Sequence, residues 1–259
     1  MSSYEQFQRD VASNIEGLRA DVDLQAMSRI WIREITPHRW AYNFSWLGRP
    51  AIQFPNDAWA IQEIVWRVRP DLIIETGIAH GGSLIFSASM LALLDIADAA
   101  VANDTINPRI SNRKVLGIDI EIRSHNRAAI EQHPLSSRIQ LIQGSSISSE
   151  VIAEVKEIAA GYSRILVCLD SNHTHDHVLE ELKAYAPLTS VGSYCIVFDT
   201  IIEDMPKEFF SDRPWGIGNN PKTAVQTFLE THSEFEIDQS IHHKLLITVA
   251  PDGYLKRTC

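Results

Sequence analysis

The chain has 259 residues with 23 Lys+Arg against 33 Asp+Glu, a formal net charge of −10, and is 45% apolar and 22% charged. That composition is globular, and the length suffices to bury a core without disulfides or a structural metal. The acidic balance argues against nucleic acid or an anionic membrane surface as partner, because both are gripped through an excess of Lys and Arg.

Three scattered cysteines, Cys168, Cys195 and Cys259, form neither a disulfide framework nor a CxxC metal motif. The first two lie in apolar runs and read as small core residues. No apolar run approaches the roughly 18 residues of a membrane span. The N-terminus MSSYEQFQRD lacks the zones of a signal peptide. A soluble, cytoplasmic protein is expected.

Along the chain, residues 4–35 carry apolar side chains at helical spacing (Phe7, Val11, Ile15, Leu18, Val22, Met27, Ile30). An irregular aromatic stretch follows, with Trp40, Tyr42, Phe44 and Trp46, for which core or subunit packing is the expected role. Asn56 is placed to cap a helix running to Arg69, with Pro70 as its stop. Short apolar runs then recur: DLIIET (71–76), KVLGIDI (114–120), RIQLIQ (138–143), SRILVCLD (163–170), SYCIVFD (193–199) and KLLITVA (244–250). Most are separated by helical periodicity, at 83–97, 123–132, 149–160, 175–186 and 220–231, while the polar segment 98–113 reads as a surface loop. Unbroken Val/Ile/Leu runs alternating with helices predict a parallel sheet covered on both faces. The expected architecture is therefore α/β and doubly wound over residues 61–259, behind a helical, aromatic N-terminal extension of residues 1–60. The extension and its aromatics point to a homo-oligomer.

In such a sheet, ligands bind beyond the carboxyl ends of the strands, so the residues after each run carry the functional argument. The first run leads into Glu75-Thr76-Gly77-Ile78-Ala79-His80-Gly81-Gly82-Ser83, whose glycines permit tight turning and close backbone approach to a ligand. It is neither GxGxxG nor GxxxxGK[ST], and no lysine is present to hold phosphates, which disfavours a polyphosphate nucleotide and a dehydrogenase. The second run ends in Asp119-Ile120, and a carboxylate there can accept both hydroxyls of a ribose. Asp119 lies 42 residues beyond Gly77, where a dinucleotide site expects about 20; the 98–113 segment accounts for most of the excess. The third run ends in Gly144-Ser145-Ser146, suited to an adenine edge or to a helix cap.

The fourth and fifth runs end in Asp170 and Asp199. Two carboxylates at neighbouring strand ends repel when both ionise, and a hard divalent cation such as Mg²⁺ relieves this. Between them, DSNHTHDH places His173, His175 and His177 at alternate positions. A helix beginning near His175 makes them diverge, so a three-histidine zinc site is not expected, and His173 alone is placed to act as a general base. The long segment from Thr200 to Asn220, with Phe209, Phe210 and Trp215, has the length of a functional lid; its aromatics would wall the acceptor or pack on the N-terminal stretch.

The run from Asp170 to Leu182 (DSNHTHDHVLEEL), Gly192 to Thr200 (GSYCIVFDT), Asn219 to Val225 (NNPKTAV) and Lys244 to Arg257 (KLLITVAPDGYLKR) together resemble the cephalosporin hydroxylase/rhamnosyl O-methyltransferase family over roughly residues 35–257. That resemblance implies a Rossmann-like methyltransferase sheet, S-adenosylmethionine as cofactor and Mg²⁺ or another divalent cation, in a layout similar to catechol O-methyltransferase. It further implies a methionine cradle made by Glu75, Thr76, Gly77, Ala79, Gly81 and Ser83, with Asp119 on the ribose and Ile120 against adenine. Ser145 and Ser146 would lie at the adenine edge. Asp170, beside the cofactor, and Asp199 would ligate the metal. His173 falls where the catechol enzymes place their catalytic lysine. The second metal motif departs from the family's acidic pairs, since Phe198 precedes Asp199; Thr200, Asp204 or water would complete the shell.

The expected activity is O-methylation of a sugar hydroxyl, rhamnose-like, in a glycolipid, polysaccharide or secondary metabolite such as an antibiotic. A phenolic or catechol-like acceptor is the nearest alternative. A non-catalytic cofactor-binding partner of another enzyme is a third, disfavoured because such a module has no use for paired carboxylates. In each case the partner is a small molecule or glycoside.

Overall fold

Helix α1 (Ser3–Ala20) opens the computed structural model, which describes residues 2–259. Ser2 and Glu5 form a reciprocal capping box at its start. The run read as one helical stretch is two, because the Asp21 side chain accepts from Leu24 N at 2.9 Å and starts α2 (Val22–Ile35). Arg39, left-handed at φ 49°, separates two 3₁₀ turns (Thr36–His38 and Trp40–Asn43). A two-residue hairpin, β1 (Ser45–Trp46) with β2 (Arg49–Pro50), follows. Helix α3 (Pro55–Val68) begins with Pro55 in its first turn, a position for which proline is preorganised. Asn56 therefore lies inside the helix and caps nothing.

Seven strands form the central sheet: β3 (Leu72–Thr76), β4 (Lys114–Asp119), β5 (Ile139–Gln143), β6 (Ile165–Leu169), β7 (Tyr194–Val197), β8 (Phe235–Ile237) and β9 (Tyr254–Arg257). Their spatial order is β5-β4-β3-β6-β7-β9-β8, with β3 to β7 parallel and β9 antiparallel to both neighbours. Helices α4 (Gly82–Ala102), α5 (Ser124–Glu131), α6 (Ser149–Ala159), α7 (His175–Tyr185), α8 (Pro221–Leu229) and α9 (Gln239–Leu245) connect them. Ile73, Val115, Leu166 and Ile196 face a layer holding Ile64, Leu84 and Leu91, while Leu72, Ile74, Leu116 and Val167 face Val155, Leu182 and Phe228. Alternate residues of each strand thus enter opposite cores, which is why the runs show no polar alternation. Cys168 and Cys195 are buried in these layers.

Two further expectations are corrected. KLLITVA (244–250) is not a strand: the Asp238 side chain accepts from Ser240 N to start α9, which runs through Leu245, and Leu246 turns the chain at φ 59°. Thr248 and Val249 instead bind the buried Asp57 carboxylate, Val249 N at 3.0 Å. The last two strands are the short β8 and β9. The 98–113 segment is loop only from Asn103, because α4 continues to Ala102. Asp98, read as the start of the loop, sits on the helix with Asp95, the two paired with Arg113, Arg138 and Arg69. By length and composition α4 is apolar enough to cross a membrane (mean hydropathy 1.9), although 44% of that stretch is buried against the sheet.

The connection from β3 runs to one side of the sheet and that from β6 to the other, so their carboxyl ends flank the switch point. There Asp170 N donates to Thr76 O (2.9 Å) and Gly77 N to Ile118 O (2.8 Å), bringing three strand ends together.

Candidate functional site

A cavity of about 600 Å³ opens above the ends of β3, β4, β6 and β7. Its floor carries Asp119, Asp170 and Asp199; one wall is the 77–83 loop, and the opposite wall is built from Trp40, Tyr42, Phe209, Phe210 and Trp215.

The glycine loop is shaped by close backbone contact. A Cβ on Gly77 (φ 81°) would lie 2.1 Å from the Asp170 carbonyl oxygen, so only glycine lets the two loops meet. Ala79 also holds a positive φ of 44°, and such outliers collect where a ligand is clamped. Ser83 Oγ donates to the buried Glu75 carboxylate, which burial pushes up to about 7. Thr76 Oγ1 is buried without a hydrogen-bond partner among the described residues. Asp119 accepts from Ile78 N and Glu121 N, each at 3.0 Å, so its carboxylate is fixed at the loop's edge. Ile120 beside it is exposed.

Across the switch point, ligand atoms of Asp170, His173 and Asp199 lie within 4.8 Å of one another. His173 Nε2 is 3.1 Å from Asp199 Oδ2, and its ring meets Trp215 edge-on at 4.8 Å. Asp199 is left-handed at φ 55°. Burial, then the carboxylates of Asp199, Glu75, Glu181 and Asp57, hold Asp170 well above the ordinary carboxylate range. So much negative charge around one cavity is stable when cations occupy it, and the two carboxylates form an oxygen donor pair that fits a hard divalent metal, with His173 held beside it on Asp199.

Several expected site residues are placed elsewhere. Thr200 is not a metal donor: it is fully buried behind Asp199, where its hydroxyl donates to Pro251 O at 2.6 Å. Asp204 is engaged by Lys222 at 3.0 Å. Ser146 turns inward, its hydroxyl 3.1 Å from His177 Nε2, and neither Ser145 nor Ser146 is among the residues lining the cavity. His175 Nδ1 meets Thr223 Oγ1 at 2.8 Å, and His177 also meets Ser171 Oγ at 3.2 Å, so the three histidines diverge as expected.

A layer the sequence did not reveal supports these loops. Arg49 donates to His80 O and to Asn126 Oδ1, while Asn126 Nδ2 donates to Ala79 O (3.0 Å), pinning the glycine loop between β2 and α5. Buried Glu181 accepts from Ser171 Oγ at 2.6 Å beneath the Asp170 loop. Asp57, pushed up to about 6 by burial, accepts from Thr248, Val249 and Tyr254 and ties α3 to the turn behind Asp199. None of these contacts has a motif, since each joins residues distant in sequence.

The aromatic wall comes from both ends of the chain. Trp40 makes T-shaped contacts with Trp31, Phe44 and Phe54 at 4.8–5.2 Å, so the stretch given a packing role packs and also lines the cavity. Trp46 serves packing alone, against Phe86 and Ser89. The 200–220 segment is anchored where Glu203 accepts from Gly218 N (2.8 Å) and from Asn220, which caps α8.

The profile of the rhamnosyl O-methyltransferase/CmcI family matches residues 38–258. The rhamnosyl O-methyltransferase of Mycobacterium tuberculosis (H37Rv) is 28% identical over 228 residues, covering 85% of this chain and 83% of the relative. The Mycobacterium leprae protein of the same name is 27% identical over 230 residues, covering 85% and 88%. Among solved structures, CmcI with Mg and SAM aligns at a TM-score of 0.54 with 18% identity, covering 84% of this chain and 78% of that one. CalS11, described as a TDP-rhamnose 3'-O-methyltransferase of calicheamicin biosynthesis, aligns at 0.51 with 16% identity, covering 78% of each. These two likenesses establish a common fold.

Proposed function

The chain belongs to the rhamnosyl O-methyltransferase/CmcI family and is an S-adenosylmethionine-dependent O-methyltransferase, and from that premise we propose that it methylates a sugar hydroxyl with the help of a divalent cation. The observation that carries this reading is the Asp170–His173–Asp199 cluster, set between a glycine loop and an aromatic wall. The rhamnosyl names of the curated relatives, and that of CalS11, support a sugar of a glycolipid, polysaccharide or secondary metabolite as acceptor. In this reading residues 61–259 form the cofactor-binding domain and residues 1–60 an extension that closes the cavity. The enzyme is cytoplasmic and homo-oligomeric; exposed Tyr4, Phe7 and Met27 on the extension support self-association.

Bound S-adenosylmethionine supplies a methyl group already activated by its sulfonium, and a divalent cation supplies charge neutralisation and acidifies a hydroxyl it touches. Asp170 and Asp199 would hold the cation. Glu75, Thr76, Gly77, Ala79, Gly81 and Ser83 would cradle the methionine end, with Asp170 beside it. Asp119 would accept from the ribose hydroxyls, Ile120 would lie against adenine, and Ser145 and Ser146 would border its edge. An acceptor oxygen would have to lie in line with the methyl, at roughly 3–3.5 Å. His173 takes the proton: with Nε2–H donated to Asp199, Nδ1 carries the lone pair, and Asp199 stabilises the imidazolium that forms. A sugar hydroxyl is much less acidic than a phenol, so this base matters more for a sugar.

Aromatic walls also suit a phenolic acceptor, so the test is comparative. Methyl transfer from labelled S-adenosylmethionine is measured with rhamnosides and with catechols, each with Mg²⁺ or EDTA. Metal-dependent labelling of a rhamnoside is expected. Labelling of catechols alone overturns the sugar reading, and turnover unaffected by EDTA overturns the metal.

A further inference from the structure

We infer that the acceptor reaches this site as an anionic conjugate, a sugar carrying a phosphate or diphosphate, and that Arg39 and Arg213 grip that group at the cavity rim. The inference rests on the acceptor cavity proposed above. Both arginines line the cavity and both are exposed, on the aromatic wall, Arg39 from the N-terminal turns and Arg213 from the 200–220 segment. Each guanidinium lies over an aromatic ring of its own wall, Arg39 over Tyr42 at 5.9 Å and Arg213 over Trp215 at 5.4 Å. Stacking fixes the plane of a guanidinium while leaving its N–H edges free. Neither guanidinium donates a hydrogen bond to the protein among the described residues; the one carboxylate near Arg213 is exposed Asp212, at 3.9 Å. Arg49 differs in being consumed by His80 O and Asn126.

Backbone cost points the same way. Arg39 holds φ 49° between two 3₁₀ turns, a conformation glycine adopts freely and other L-residues adopt under strain. The turn needs a left-handed residue, and the guanidinium's one protein contact among the described residues is the Tyr42 ring, so its N–H edges are what a ligand would use. Charge gives the use. A chain of net charge −10, with three aspartates on the cavity floor, repels an anionic acceptor. Two cations at the rim offset that repulsion and hold the anion away from the floor, where the hydroxyl must sit. A planar donor fork matches phosphate oxygens in pairs. Trp215 would link the two ends of the acceptor, since its ring touches both Arg213 and His173.

The test is calorimetry on full-length protein saturated with S-adenosylhomocysteine, in EDTA so that no metal bridges the probe. UDP, inorganic pyrophosphate and glucose 1-phosphate are titrated separately, at 50 and 200 mM salt. Binding that weakens with salt is expected, about tenfold weaker in Arg39→Gln or Arg213→Gln and about 100-fold weaker in the double variant. UDP binding well above glucose 1-phosphate assigns the anion to a nucleotide-linked sugar, and comparable binding assigns it to a sugar phosphate. Arg39→Gly separates binding from structure: it keeps the turn, holds or raises Tm, and loses the anion. Absence of binding by all three probes overturns the inference, as does wild-type affinity in the double variant. S-adenosylhomocysteine affinity is expected to stay within twofold in every variant; if the wild type fails to bind it, the methyltransferase reading fails rather than the rim assignment.

Discussion

The side of the cavity proposed to take the cofactor is built from strand ends, the side proposed to take the acceptor from two segments remote from each other in the chain. Gly77 and Asp170 follow buried parallel strands and Asp119 ends one, so the sheet fixes their positions through backbone hydrogen bonds such as Gly77 N to Ile118 O and Asp170 N to Thr76 O. Trp40, Tyr42, Phe209, Phe210 and Trp215 hang on turns held by side chains, notably the edge-to-face contacts of Trp40 with Trp31, Phe44 and Phe54 and the Glu203–Asn220 anchor. The difference teaches that chemistry common to many acceptors sits on the rigid frame, while acceptor choice sits on parts that can change without disturbing it.

Substitutions on the cofactor side should therefore damage fold and binding together. Gly77→Ala places a methyl group against the Asp170 backbone, and a loss of roughly 4 kcal/mol of stability is expected along with S-adenosylhomocysteine binding. Urea denaturation and calorimetry check this; a variant as stable as wild type would break the comparison. His173, at the junction of the two sides, should behave differently. His173→Gln is expected to lower kcat by about 10²- to 10⁴-fold, with cofactor affinity unchanged.

The buried carboxylates give the frame a pH dependence. Burial raises Glu75 to about 7 and Asp57 to about 6. Each keeps its proton in the folded chain at pH values where the unfolded chain has lost it. The stability these two groups contribute without ligand is fully present below their unfolded carboxylate values and is lost as pH rises from there through the folded ones, by about 3 kcal/mol for Glu75. Denaturation midpoints from pH 4.5 to 8 test this, and Glu75→Gln should flatten the curve; stability rising over that interval would contradict it. The smallest effect belongs to the acceptor side. Trp215→Ala should raise the acceptor KM about tenfold, in the range of a lost aromatic contact, and leave Tm and cofactor affinity alone.

The same contrast explains what the sequence discloses. Periodicity and strand ends announce the sheet from Leu72 to Val197, the glycine loop, Asp119 and the Asp170–Asp199 pair, because each depends on residues close in the chain. It fails where a distant partner decides the conformation. KLLITVA has a strand's composition, but Asp57 takes up Thr248 and Val249, and the Asp238 cap continues into helix. Asp98 mimics a loop onset, yet it stays on α4, paired with Arg69 and Arg113 from outside the helix. Thr200 follows a metal-site aspartate in sequence, yet the left-handed turn at Asp199 sends it to Pro251. Arg49, Asn126 and Glu181, which hold the loops, carry no pattern at all.

The central claim is that cofactor binding belongs to the strand-end side alone. The most direct measurement is S-adenosylhomocysteine titrated into wild type, Asp119→Ala and Trp215→Ala. Loss of the ribose contacts should weaken binding about 100-fold in Asp119→Ala, whereas Trp215→Ala should bind within twofold of wild type. Equal losses in the two variants, or none in Asp119→Ala, would contradict the account.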